Sequence, residues 1–296
     1  MTVREAPPAP SSGERPNQVS RETSVGVQRF GVLRYSGETC AALDDAVAVE
    51  EPLEIRIAGE PVAITMRTPG HDAELVLGFL LAEGIVRSVE EVGGIAHCGR
   101  PGESGNVIDV RSAPGHVIAW EPSGAMRRAT LVTSACGVCG RRSIDDLLAR
   151  VGEVQDEARF AVSWIRRLTR ELSPRQANFA ASGGVHAAAL WDADGALYVL
   201  REDVGRHNAV DKVVGRAALD RRLPARGMVL VVSGRASFEL VQKAAVARIS
   251  MLVSVSAPSS LAVAAARQSG LTLVSFARDE RFNVYAGEQR IIGSKQ

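Results

Sequence analysis

Four cysteines, five histidines and an aromatic content of 4% are all that this 296-residue chain holds of the residue types used most for metal, redox and stacking chemistry. The formal net charge is only +1, so there is no polybasic field to hold duplex nucleic acid. The scarcity of aromatics also argues against a surface that stacks unpaired bases. No run of about 18 apolar residues occurs, so no membrane-spanning helix is expected. Met1 to about Thr23 is rich in Pro, Ser, Glu and Arg and lacks the apolar middle of a signal peptide. It reads as a disordered tail, and the expected location is the cytoplasm. What remains is ordinary: hydrophobic residues make up 46% of the chain, enough to bury a full core in two domains.

Two of the four cysteines are concentrated in one place, Thr133-Ser134-Ala135-Cys136-Gly137-Val138-Cys139-Gly140. Glycines between and after the pair let the backbone bend and leave the sulfurs unshielded. Arg141 and Arg142 follow at once, and positive charge beside a thiol favours the reactive thiolate. Ser143 reads as the cap of a short helix through Ile144, Leu147 and Leu148, whose positive end would lower a nearby thiol pKa further. A structural zinc site would need a second pair of ligands, and only His97-Cys98 offers one; Cys40 stands alone. A thioredoxin-like redox turn would open directly into a helix, whereas Gly140, Arg141 and Arg142 intervene here. A purely structural disulfide is disfavoured in a reducing compartment. Redox chemistry and group transfer, most naturally of sulfur, both remain open from the loop alone.

The first half reads as β-rich with one helix. Strands are expected at Val25–Gly31, Leu53–Ile57, Val62–Arg67, Gly94–Cys98, Asn106–Val110 and His116–Trp120, with a hairpin turn at Ala58-Gly59-Glu60-Pro61. His71–Glu83 carries Leu75, Val76, Phe79 and Leu80 at helical spacing and ends at Gly84. The second half changes character. Met228–Val232, Met251–Val255 and Leu271–Phe276 are short apolar runs, as expected of strands buried on both faces. The helix-like segments Ser237–Ser250 and Pro258–Ser269 lie between them, with Pro258 suited to a first turn. That alternation predicts an α/β fold with parallel pairing and a ligand at the carboxyl ends of the strands. Those ends are Ser233-Gly234-Arg235, Ser256-Ala257-Pro258-Ser259 and Ala277-Arg278-Asp279-Glu280-Arg281, and an anion would suit their arginines.

A further polar cluster, Arg201 to Asn208, precedes an amphipathic helix marked by Val210, Val213, Val214, Ala217 and Ala218. Arg206 and His207 could grip phosphate at its N-terminus; the bland alternative is a local ion-pair network of Glu202 and Asp203 with Arg201 and Arg206. His207 and Asp211, four apart, share a face. His186, in Ser182-Gly183-Gly184-Val185-His186, reads on its own as a hydrogen-bonded core or strand-start histidine. His71, His97 and His116 have no evident partners in sequence.

Taken in order, several blocks resemble one family: Met66–Gly70, Gly78–Ile85, Cys136–Gly140, Gly183–Ala188, Arg201–Lys212, Ser233–Ala245, Ser256–Val263 and Phe282–Tyr285. Together they resemble the formate dehydrogenase accessory sulfurtransferases, the FdhD/NarQ family, over about Val25 to Gly287. Ala135 and Ser182 depart from the Ser and Thr expected there. The resemblance implies a sulfurtransferase that takes sulfur from a cysteine desulfurase as a persulfide on Cys136, with Cys139 as helper. It implies transfer to molybdenum in the bis-molybdopterin guanine dinucleotide cofactor, for the formate dehydrogenase apoprotein. It places cofactor binding at Phe276, Ala277, Arg278, Asp279, Glu280 and Arg281, to which Arg206, His207, Ser233, Gly234 and Arg235 are added as walls. It also implies a homodimer. The domains expected are a tail over 1–24, an α+β domain over 25–132, a mobile cysteine loop over 133–142, and a three-layer αβα domain over 143–296 resembling the cytidine deaminase fold. Deamination itself is excluded: zinc deaminases need H-x-E before P-C-x-x-C, whereas Ala188 follows His186, Ala135 stands for the proline and the cysteines come first. The rival functions are a non-catalytic cofactor chaperone and a thiol–disulfide oxidoreductase.

Overall fold

The structure is a computed structural model that describes residues 26–99, 105–119, 153–278 and 280–293. The tail, the cysteine loop with Cys136 and Cys139, the short helix expected after Ser143, and Asp279 lie outside these residues. The first described element is a hairpin of β1 (Val27–Ser36) and β2 (Thr39–Ala48), paired in register along its whole length. The sequence reading had only its first few residues. Both faces of this ribbon are largely exposed, so it has no alternating pattern to detect.

β3 (Glu51–Ile57) and β4 (Glu60–Arg67) form the expected hairpin, with Ala58 and Gly59 both at positive φ, the geometry of a two-residue turn. Leu53, Ile55 and Ile57 alternate into the core. Helix α1 (Asp72–Ala82) follows, then β5 (Val92–His97) and β6 (Val107–Ser112), giving a four-stranded sheet in the order β4-β3-β6-β5. The strand expected at His116–Trp120 is not formed over its described residues. There His116 N–H bonds back to Ala113 O and Ile118 N–H to Ser112 Oγ, closing turns in place of a ladder.

The rest of the chain builds a second, larger sheet. In order come β7 (Phe160–Ala161), α2 (Val162–Leu172), α3 (Ala177–Ser182), β8 (His186–Trp191), β9 (Leu197–Asp203), α4 (Arg206–Leu219), β10 (Val229–Val232), α5 (Phe238–Val246), β11 (Met251–Ser254), α6 (Ser260–Ser269), β12 (Thr272–Arg278), β13 (Arg281–Ala286) and β14 (Ile291–Ile292). Six of these strands form one sheet in the order β13-β12-β11-β10-β8-β9, in which β10, β11 and β12 run parallel as expected. β8 enters antiparallel against β10. Leu230 and Leu252 pack into the core beneath α4, α5 and α6, while Val229, Val231 and Val253 face Ile165, Leu168 and Leu172 of α2. The architecture is therefore α/β, with helices covering both faces. Pro258 does not open α6: it bridges to Ala236, and Ser259 caps the helix by accepting from Ala262 N–H at 3.2 Å.

The two sheets are joined through α1 and α4. Helix α1 is buried nearly all round, because one side packs on the smaller sheet and the other on α4. At the crossing a Cβ on Gly78 would land on the backbone of Asp211, and one on Gly215 on the backbone of Glu74. Only hydrogen on both helices permits so close an approach.

Candidate functional site

The carboxyl ends of β10, β11 and β12 open on one edge of the large sheet, and backbone bonds knit their loops together. Val255 N–H donates to Val232 O, Ala236 N–H to Ala257 O, and Phe276 N–H to Ser256 O at 3.1–3.2 Å. Ser254 Oγ donates to Gly234 O and to Ser256 O. Because β8 runs the other way, it is the start of that strand that reaches this edge. His186 therefore stands beside Ser233-Gly234-Arg235, and Ala187 N–H donates to Ser233 Oγ at 2.9 Å. β9 delivers Asp203 opposite His186, and the chain turns at once into α4 with Arg206 and His207.

Of the expected residues, Arg206, His207, Ser233, Gly234 and Arg235 come together here. Arg206 is half-buried, and its Nε is shielded from water without a hydrogen-bond partner. Its side chain runs past Gly234, where an added Cβ would meet Arg206 Cδ at 3.9 Å and His186 Nδ1 at 3.4 Å. No ion pair engages Arg206 or Arg235 with a carboxylate among the described residues. His207 Nε2 lies 3.3 Å from Ser237 Oγ and 3.6 Å from Glu239 Oε2. The His207 contact outweighs burial and holds the Glu239 carboxyl at about 2. Ser237 faces His207 and leaves the first turn of α5 without a side-chain cap.

The β12 segment sits two strands away. Phe276 is exposed and takes a positive φ of 52°, at an irregularity in the β12–β13 pairing. Arg278 Nε donates to Val255 O at 3.3 Å, and Arg278 pairs across the turn with Arg281. Ala277 is buried in the core against the α2 layer, so only its backbone can meet a ligand. Glu280 is drawn onto α2, with Arg166 at 3.4 Å and Arg170 at 3.5 Å. That pairing removes much of the repulsion this carboxylate would otherwise exert on an anion.

The polar cluster Arg201–Asn208 does not form the local ion-pair network that its spacing allows. Arg201 grips Glu74 of α1 with two hydrogen bonds of 2.6 and 2.8 Å. Burial pushes the Glu74 carboxyl up, but Arg201 and His71 outweigh it and hold it at about 2. Glu202 accepts from the Asn178 and Phe179 N–H groups at the start of α3. Asp203 pairs with Lys212 at 2.7 Å and accepts from Gly205 N–H, Asn208 Nδ2 and Thr68 N–H. His207 and Asp211 do share a face, turned to α5, where Asp211 meets Lys243 Nζ at 2.6 Å. Sequence reasoning read His186 as a core or strand-start histidine, and it does open β8; its place at the cleft follows from that strand running antiparallel to β10.

Elsewhere, His97 Nε2 lies 3.3 Å from Asp72 Oδ2 at the start of α1. Cys40 and Cys98 are free thiols. Among the described residues no group of three or more His, Cys, Asp or Glu side chains could hold a metal ion. No described helix is long and apolar enough to cross a membrane. A mostly apolar cavity of about 780 Å³, bordered by Leu81, Val86, Val214 and Leu223, holds none of the expected site residues.

The comparisons with known proteins agree with one another. Residues 48–292 match the FdhD/NarQ family. The chain is 53% identical over 268 residues to the sulfur carrier protein FdhD of Anaeromyxobacter dehalogenans (strain 2CP-1), covering 88% of this chain and 92% of that one. It is 48% identical over 269 residues to the sulfur carrier protein FdhD of Mycobacterium tuberculosis, covering 88% and 96%. A crystal structure assigned to a formate dehydrogenase accessory protein from Desulfotalea psychrophila superposes with a TM-score of 0.72 at 26% identity, covering 90% of this chain and all of that one. A match of this extent, in sequence and in fold, shows that the chain belongs to the FdhD/NarQ family.

Proposed function

We propose that this protein carries sulfur as a persulfide on Cys136 from a cysteine desulfurase to the bis-molybdopterin guanine dinucleotide molybdenum cofactor, bound as substrate, for formate dehydrogenase. The observation that carries the reading is the edge where Arg206 and Arg235 lie without carboxylate partners beside the uncapped start of α5. Guanidinium groups left unpaired at a helix N-terminus suit a diphosphate. Arg278 and Arg281 extend the same positive edge, and the exposed ring of Phe276 offers a flat face to a purine. Asp279 and Glu280 complete the segment. The sulfur carriers that resemble this chain supply the class of reaction.

The chemistry balances without an external oxidant. The Cys136 thiolate attacks the outer sulfur of the donor's persulfide; the donor's S–S bond breaks, its cysteine leaves as thiolate, and the new S–S bond stands on Cys136. For delivery, the Cys139 thiolate attacks the inner sulfur of that persulfide. The outer sulfur then leaves as sulfide to molybdenum, displacing an oxygen ligand as hydroxide or water. A Cys136–Cys139 disulfide remains, which a dithiol reductant reopens. Such a cycle belongs in the cytoplasm, where thiols are kept reduced.

Incubation with a cysteine desulfurase and cysteine is expected to add one sulfur atom to the Cys136 peptide, measured by intact and tryptic mass. The adduct should vanish with reductant and be absent from Cys136→Ala. A reversible Cys136–Cys139 disulfide with no added sulfur would instead make the protein a thiol–disulfide oxidoreductase.

We also propose a homodimer built through the β1–β2 arm. Leu33 and Tyr35 are 64% and 70% exposed on one face of this ribbon, and Phe30 and Val47 are exposed on the other. A bare two-stranded ribbon is marginal in water, and a second copy would cover it. Light scattering should give twice the chain mass for the wild type, and Leu33→Glu/Tyr35→Glu should shift it to monomer. A monomeric wild type at working concentration would end this part of the reading.

A further inference from the structure

His186 is not needed for the arginine-based reading of the cleft, yet it stands at the centre of it. This half-buried ring makes no hydrogen bond with a described residue. Nδ1 lies against Gly234, the residue past which Arg206 also runs. The charged and titratable groups that face it are Arg206 and His207 from α4, Arg235 from the loop after β10, and Asp203 from β9. Asp203 cannot neutralise this ring of cations, because Lys212, Gly205, Asn208 and Thr68 already use its two oxygens. Glu239, the next carboxylate, is held by His207. Burial, then the neighbouring Arg206, His207 and Arg235, keep the imidazole below its ordinary range, which favours its uncharged form.

We propose that His186 is a binding residue of this cleft, which donates a hydrogen bond to the anionic part of the ligand beside Arg206 and Arg235 and takes up one proton as that ligand binds. The inference rests on the reading of the cleft as a diphosphate site. A diphosphate placed among these groups reverses the local field. It neutralises the cations that held His186 deprotonated and accepts from the imidazolium that forms. The proton comes from solvent, and no covalent bond changes. The sign follows from linkage. The histidine's pKa is lower in the free protein than in the complex, so binding tightens as pH falls through the bound-state pKa. The gain levels off once pH is below the free-state value.

The experiment uses the full chain and GDP-mannose, whose two phosphates are both esterified and so do not themselves titrate near neutrality. Titration calorimetry at pH 6 and pH 8, in two buffers of different ionisation enthalpy, reads affinity and proton uptake together. The expected result is an affinity about threefold to sixfold higher at pH 6, with a substantial fraction of a proton taken up per ligand near pH 7. His186→Gln should lose the uptake and the pH slope while still binding at pH 8. As a check that needs no variant, the His186 ring in the wild type, followed by ¹⁵N NMR, should titrate about one pH unit higher with ligand than without. Binding without proton uptake, or an unchanged slope in His186→Gln, overturns the inference and leaves the cleft reading intact. No binding by the wild type at either pH overturns the cleft reading, and the inference with it.

Discussion

Replacing Gly215 by alanine is expected to lower the melting temperature by roughly 10 °C, from a loss of about 3 kcal/mol or more. The reason is geometric. A methyl group there would sit on the carbonyl of Glu74, which belongs to the backbone of α1 and cannot rotate away as a side chain could. Gly78 makes the reciprocal demand on Asp211, so α1 and α4 can accommodate neither methyl without moving apart. Separation would also stretch the pair between Glu74 and Arg201 and the bond from Lys212 Nζ to Thr68 O, because both cross the same junction. Alanine is the better helix former, and at an exposed position the change would stabilise by up to about 1 kcal/mol. Here overpacking wins. The function should suffer too, since α4 carries Arg206 and His207 into the cleft at its first turn. Gly94→Ala is the control: nothing lies within 4 Å of its added Cβ, so its melting temperature should stay near that of the wild type. Thermal unfolding of the three proteins decides it. A Gly215→Ala protein that melts with the wild type would mean that the helices cross farther apart than described.

The buried parallel strands were the most legible part of the fold. Val229–Val232, Met251–Ser254 and the start of β12 are mostly apolar on both faces, and no surface strand among the described residues has that pattern. Once they are recognised, topology directs attention to the loops at their carboxyl ends, where Ser233, Gly234, Arg235 and Phe276 are found. What the pattern could not convey was pairing at long range. Arg201 and Asp203 are two residues apart and look like members of one local network. Their partners are Glu74, on another helix, and Lys212, two turns into the next one. Local spacing says which groups are charged; the crossing of α1 over α4 decides which of them meet. The same holds for His186, whose role depends on β8 lying between β10 and β9 and running antiparallel to both. The β1–β2 ribbon left no signal because neither of its faces is consistently buried. The cysteine loop is the opposite case: its paired cysteines among glycines are plain in the sequence, and it lies outside the described residues.

Lys212→Met should destabilise the protein by about 3–5 kcal/mol at pH 8, and by clearly less at pH 5. Lys212 and Asp203 are 1% and 0% exposed, and their charged atoms are 2.7 Å apart. Methionine fills most of the lysine stem, so packing changes little and the loss isolates the charge. Thr68 O loses its donor, and Asp203 is left as a carboxylate inside the protein with only neutral donors. Burial already pushes the Asp203 carboxyl above its ordinary range, against the pull of Lys212; without the lysine the upward push is unopposed. A folded-state pKa above the unfolded one binds protons preferentially in the fold. The variant's stability is therefore greatest below the unfolded value, near 4, and is lost as pH rises through the folded value. Urea unfolding at pH 5 and pH 8 measures the difference. Adding Asp203→Asn should recover part of the loss at pH 8 and flatten the pH dependence, since the second substitution removes the buried charge itself. A single variant equally unstable at both pH values would place the loss in packing or in the Thr68 hydrogen bond. In that case the ion pair could no longer be what holds the strand β9 and the start of α4 in place beside the cleft.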